Sequence, residues 1–199
     1  MGMTMFQEKL ARSEQELWRA NTYQLLAQLL MEPPSQRLVD HLRKIPPLHS
    51  GHGEDAVALA WVDLGDAARR SNEGLLVAEF HALFDENSGL LVPYASWYVA
   101  GERNAKPLSL LRAEMAALGI VKSGELSEDH ASQLCQMMCL LIESEDPRQI
   151  GFFTRHIKPW LPQFFHDLSL SPSAFFYRPV GSLGEAFIEV ERIFLRETY

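Results

Sequence analysis

The sequence predicts an all-α protein, a compact globular multi-helix domain spanning residues 1–199. Three observations predict it. Apolar residues recur every three or four positions in almost every segment. Helix-starting and helix-stopping residues stand at the ends of those segments. Strand signals are nearly absent, because short apolar pieces such as LLVPY lack both alternation and a run of β-branched residues.

Taken in order, Ser13 with Glu16 forms a capping-box signature, and Tyr23, Leu26 and Leu30 continue at helical spacing until Pro33-Pro34. A short second helix is expected after Ser35, with Leu38, Val39 and Leu42 on one side, and PPLHSGHG (loop 46–53) follows. Val57, Ala60, Trp61, Leu64 and Ala68 make a third helix. Leu76, Phe80, Leu83 and Phe84 make a fourth after the cap-like Asn72. Residues 85–106 carry Gly89, Pro93 and Gly101 without a sustained period, which predicts a long ordered loop, and loops of that length in a domain are often functional. Pro107 suits a first turn, Leu111, Met115 and Leu118 form a stripe, and Gly119 stops it. In SEDHASQLC, Ser127 is the expected N-cap, with Glu128 and Asp129 beside the positive end of the dipole; Ala131, Leu134, Met138, Leu141 and Ile142 form the core face. Asp146-Pro147 opens a further helix through Ile150, Phe153 and Ile157. Trp160, Phe164 and Leu168 follow Pro159, and Leu183, Phe187, Val190 and Phe194 define the last, roughly eight to ten helices in all.

The formal net charge of −8 disfavours nucleic acid and anionic membranes as partners and favours a basic one. No apolar run is long enough to span a bilayer, and the start MGMTMFQEKL lacks a secretory pattern, so a cytoplasmic location is expected. Cys135 and Cys139, the only cysteines, lie one helical turn apart and are expected to pack rather than bridge. His49 and His52 lack further ligands at metal spacing, and no metal is expected. There is no H-E-x-x-H, no G-x-S-x-G, no dinucleotide fingerprint and no P-loop. His130 has a plain structural reading as a hydrogen bond to a neighbouring loop. Glu79, Asp85, Glu86 and Glu102 are either solvated charges or the wall of an acidic, aromatic-lined recess.

EFHALFDENSGLLVPYASWY (79–98), LSEDHASQL (126–134) and FFTRHIKPWLPQFF (152–165), in this order, resemble the TorD/DmsD family of redox-enzyme maturation chaperones. Its motifs are a Leu-Phe near a helix end, a Pro-x-x-Ser-x-Tyr segment, a Glu-Pro-x-Asp-His motif and a His-x-x-x-Trp element. They fall here on Leu83-Phe84, on Pro93, Ser96 and Tyr98, on Asp129-His130, and on His156 and Trp160. Leu126-Ser127 replaces the Glu-Pro, with Glu125 one position earlier, and Glu86-Asn87 stands where Gly-Pro often follows Leu-Phe.

The resemblance implies a TorD-like, cytoplasmic chaperone, not an enzyme. Its partner would be a molybdenum-cofactor oxidoreductase precursor, recognised through its twin-arginine signal peptide, its body or both, with export delayed until the cofactor is inserted. Two guanidinium groups beside an apolar stretch call for carboxylates beside aromatic surface. Tyr94, Ser96, Trp97, Tyr98, Asp129 and His130 are the implied binding residues, with Pro93, Glu125, Glu128, His156 and Trp160 in support, and His130 would add pH sensitivity. No cofactor is expected, guanine nucleotide included, since no phosphate-cradling sequence is present. Relatives exchange helices between chains, so a monomer with some domain-swapped homodimer is expected, with 119–126 or the 85–106 connection as hinge. The alternatives are a chaperone of a cytoplasm-retained subunit, as for nitrate reductase, a small helical enzyme using Asp129 and His130, and a helical scaffold without peptide binding.

Overall fold

The computed structural model describes residues 5–46, 55–85, 89–122 and 124–197. Among them there are ten helices and no strand: α1 Met5–Met31, α2 Gln36–Leu42, α3 Ala56–Arg70, α4 Glu73–Phe84, α5 Ala95–Ala100, α6 Lys106–Leu118, α7 Ala131–Glu143, α8 Gln149–Phe152, α9 Leu161–Leu170 and α10 Tyr177–Glu197. The all-α expectation holds.

Local chemistry sets most of the ends. The side chains of Ser35, Asp55 and Asn72 accept from backbone N–H groups of the first turns of α2, α3 and α4, which otherwise have no partner inside the helix. Gly119 ends α6 at φ 72, in the left-handed region that a side chain disfavours. Four expectations change. α1 begins at Met5, so Ser13 lies inside the helix and caps nothing. The expected loop 85–106 contains α5, closed by Gly101 at φ 77. The N-cap of α7 is His130, not Ser127, because the chain turns through Glu128 and Asp129 before the helix starts. Between α8 and α9, Phe153–Ile157 is a single wider π-type turn, in which the Lys158 N–H reaches back five residues to the Phe153 carbonyl at 2.9 Å. The expected loop 46–53, with His49 and His52, lies outside the described residues from 47 onward, as does Glu86-Asn87.

α1 lies along α7, α10 packs on α9 and α3, and α5 packs on α6. The core is one contiguous set of buried apolar side chains drawn from α1 through α10. Phe187 of α10 meets Tyr23 of α1 edge-on at 4.7 Å, and the Tyr177 hydroxyl donates to the Leu29 carbonyl at 2.9 Å. Burying a large apolar side chain contributes about 1.5–3 kcal/mol, enough to outweigh the about 1–2 kcal/mol lost in ordering its backbone. α10 comes close to α9 because Gly184 carries no Cβ; one there would sit 2.4 Å from the Phe165 ring. Cys135 and Cys139 are buried free thiols on α7, pushed up in pKa chiefly by burial, Cys139 to about 11.

Glu79 answers to the fold. Its carboxylate accepts from the N–H groups of Phe175, Phe176 and Tyr177 at 2.7, 3.1 and 2.8 Å, where α10 begins. It borders a groove of about 1020 Å³ between α3, α4 and the start of α10.

Candidate functional site

Three of the motif segments meet around a cavity of about 300 Å³ enclosed by α5, α6, the start of α7 and the π turn. Pro93 to Ala95 and Asp129 to Ala131 are zipped together first: the Ala95 N–H donates to the Asp129 carbonyl at 2.9 Å, and the Ala131 N–H to the Pro93 carbonyl at 2.8 Å. This pairing places Asp129 at the head of α5, a helix whose own N-cap, Tyr94, offers no side-chain acceptor. Asp129 Oδ2 accepts from the Ser96 N–H at 3.0 Å and the Ser96 hydroxyl at 2.5 Å, while Oδ1 accepts from the Ser127 hydroxyl at 2.7 Å. The residue lines the cavity, yet it is 1% exposed and three donors hold it. Its carboxylate caps α5 from 33 residues away.

His130 is buried beside it, with its ring edge-on to Tyr94 at 4.8 Å, and Tyr94 lies in turn under the Arg103 guanidinium at 4.0 Å. Nδ1 accepts from the Ser132 N–H at 3.1 Å and so caps α7, a task only the neutral ring can perform. Burial lowers the His130 pKa to about 4; the neighbouring Asp129 carboxylate pulls it back up in part, and the Arg103 charge adds a smaller downward push. The expected pH sensor is therefore uncharged near neutrality. Because the folded pKa lies below the ordinary 6.5, the unfolded chain binds the extra proton between those values. His130 thus contributes stability that is full above pH 6.5 and is lost as pH falls toward 4, on the order of 3 kcal/mol across that range. Urea unfolding at stepped pH should show this slope, and His130→Gln should flatten it; an unchanged slope in the variant would assign the loss to other groups.

The second carboxylate in the cavity, Glu114, escapes the sequence reading. It stands on α6 in register with Pro107, Leu110 and Leu111, positions 0, 3, 4 and 7 of one helical stripe that lines the cavity. Across from it, the π turn brings two successive side chains to bear. Arg155 grips the carboxylate with Nε at 2.9 Å and Nη2 at 2.5 Å, and His156 Nε2 lies 2.8 Å from Oε2. The Arg155 hydrogen bond, more than that of His156, holds the Glu114 carboxyl below its usual range against the opposing effect of burial. Trp160 closes the back, its indole N–H donating to the His156 carbonyl at 2.8 Å. Val99 and Leu110, 53% and 56% exposed, form an apolar lip.

Of the residues singled out from sequence, Asp129, His156 and Trp160 line the cavity, whereas buried Pro93, Tyr94, Ser96 and His130 support its wall. Tyr98 turns inward against Trp160 at 5.5 Å and donates to Asp167 at 2.9 Å; burial and that carboxylate push its phenol above the usual range. Trp97 is exposed and not among the lining residues, Glu125 is exposed, and Glu128 is engaged by Arg112 through two contacts of 2.9 Å. Among the described residues no His, Cys, Asp and Glu side chains gather in threes to hold a metal ion, and no helix is long and apolar enough to cross a membrane.

The family model described as nitrate reductase delta subunit matches residues 52–166, more than half of the chain and all of the segments that build the cavity. Among curated proteins none matches the chain. With its helical fold and the motif segments gathered at one cavity, the chain belongs to the nitrate reductase delta subunit family, chaperones of molybdoenzyme maturation.

Proposed function

We propose that this protein is a cytoplasmic chaperone that binds the twin-arginine signal peptide of a molybdoenzyme precursor, holding it back from export during cofactor insertion, and that the cavity between α5 and α6 receives the arginine-bearing segment. The observation that carries this reading is the cavity itself, where a carboxylate lies behind an exposed apolar lip of Val99 and Leu110. A guanidinium followed by apolar residues meets both kinds of surface in the right order, and the net charge of −8 speeds its approach. Binding and release suffice for this task; no covalent step is involved.

Calorimetric titration with a panel of twin-arginine signal peptides and their Arg-to-Gln counterparts tests it. Saturable binding that disappears with the arginines is expected. Failure of every peptide would overturn signal recognition. The description of the matching family favours a second reading, in which the client is a nitrate-reductase-type subunit retained in the cytoplasm. Its mark is binding to the folded client body and to none of the peptides.

A further inference from the structure

Two carboxylates reach the cavity, and they differ in what they have left to offer. Asp129 is buried and fully engaged by Ser96 and Ser127. Glu114 is held by an arginine whose side chain is 57% exposed and which reaches it from another element, 41 residues along the chain. We propose that Glu114 is the acceptor for the ligand's guanidinium and that Arg155 occupies it in the free protein, so that binding exchanges one guanidinium for another; this rests on the cavity being the arginine-peptide site.

The geometry supports exchange rather than addition. Arg155 already presents the forked, two-contact grip that an incoming arginine would make, with Nε and Nη2 on the two oxygens of Glu114. The arginine end of the pair is open to solvent, 57% exposed against 18% for the Glu114 side chain, so water screens it and it gives way to a ligand that also buries apolar surface on Val99 and Leu110. His156 stays at 2.8 Å from Oε2 and keeps the carboxylate aimed into the cavity while the guanidinium changes. The path of Arg155 to Glu114 also depends on a missing side chain. Its guanidinium lies across Gly151, where a Cβ would fall 2.7 Å from Nη2, 2.9 Å from Nη1 and 3.1 Å from Cζ. Even a methyl group there would push the arginine away from its seat.

The effect on affinity follows from occupancy. A site open for a fraction f of the time binds with an apparent Kd raised by 1/f, so an arginine seated about nine-tenths of the time weakens the ligand about tenfold. Fluorescence anisotropy with a labelled twin-arginine signal peptide, on the full chain, on three single variants and on one double variant, reads this directly. Arg155→Gln is expected to bind about tenfold tighter than the native protein. Gly151→Ala, which keeps the charge and disturbs only its seat, should move the same way by a smaller factor. Glu114→Gln should bind at least about tenfold more weakly, and Arg155→Gln added to it should give no gain, because the two substitutions act on one interaction. Thermal melts accompany each variant, and since Arg155 is exposed its replacement should leave the fold intact.

If the native protein binds the peptide but Arg155→Gln and Gly151→Ala bind it no tighter, the exchange is overturned and the cavity keeps its role as a peptide site. If Glu114→Gln binds as the native protein does, the assignment of the acceptor is overturned. Absence of binding in the native protein and in every variant would overturn the reading of the cavity itself, and the exchange with it.

Discussion

Replacing Glu191 with alanine is expected to destabilise the protein by about 3–5 kcal/mol, because it strands a buried cation. Glu191 on α10 and Arg19 on α1 are 0% and 1% exposed, and the guanidinium reaches both carboxylate oxygens. Arg19 also donates to Gln149 at 2.9 Å and stacks against the Phe194 ring at 4.4 Å. Nearby, burial first and the Glu191 charge second keep the Tyr23 phenol protonated. Removing the carboxylate leaves a guanidinium in the core without its counter-charge, whereas replacing both partners by apolar residues removes that penalty. Urea unfolding followed by circular dichroism should therefore show a large loss for Glu191→Ala and recovery of much of it in the double replacement Arg19→Met with Glu191→Leu. A Glu191→Ala protein within about 1 kcal/mol of the native one would show that the pair is not buried as described.

Asp129→Ala is expected to cost about 3–4 kcal/mol, because one change leaves the Ser96 N–H, the Ser96 hydroxyl and the Ser127 hydroxyl without their acceptor. The damage should concentrate on α5, whose N-terminus has no other side-chain cap. Hydrogen exchange measured by NMR is the discriminating reading: amides from Ser96 to Ala100 should lose protection well before those of α7. If α5 stays as protected as in the native protein while stability falls, the carboxylate supports a different part of the fold. Peptide binding by Asp129 variants is then read beside their stability, since Ala95 and Val99 on α5 form one wall of the cavity.

The parts of this architecture visible in sequence are those fixed within one or two helical turns. Ser35 and Asn72 announce α2 and α4 because the cap and the amide it satisfies are three residues apart. Gly119 announces the end of α6 because its backbone angle requires it. α5 hides for the opposite reason. Six residues are too few to display a period, and the group that caps it stands 33 positions downstream. Ser127 has the composition of an N-cap but spends its hydroxyl on Asp129, leaving the cap of α7 to an imidazole that composition ranks lower. Asp129, His156 and Trp160 are found at the cavity through the family's motifs, yet Glu114 and Arg155 belong to no motif. Their pairing depends on how α6 packs beside a π turn, and no local pattern encodes that.

The ion pair between Arg19 and Glu191 spans 172 positions of the chain, and this separation sets an order of events during synthesis. The ribosome makes α1 first, and Arg19 must wait in solvent, or with Gln149 alone, until residue 191 has been added. Docking of α10 is thus the step that closes the core, and it also brings Phe187 onto Tyr23 and Tyr177 onto the Leu29 carbonyl. A nascent chain short of α10 carries the cavity-forming segments without the helix that completes their foundation. A copy that stops short of residue 191 therefore leaves the Arg19 guanidinium without its carboxylate and uncovers the apolar faces of α3 and α9 against which α10 packs.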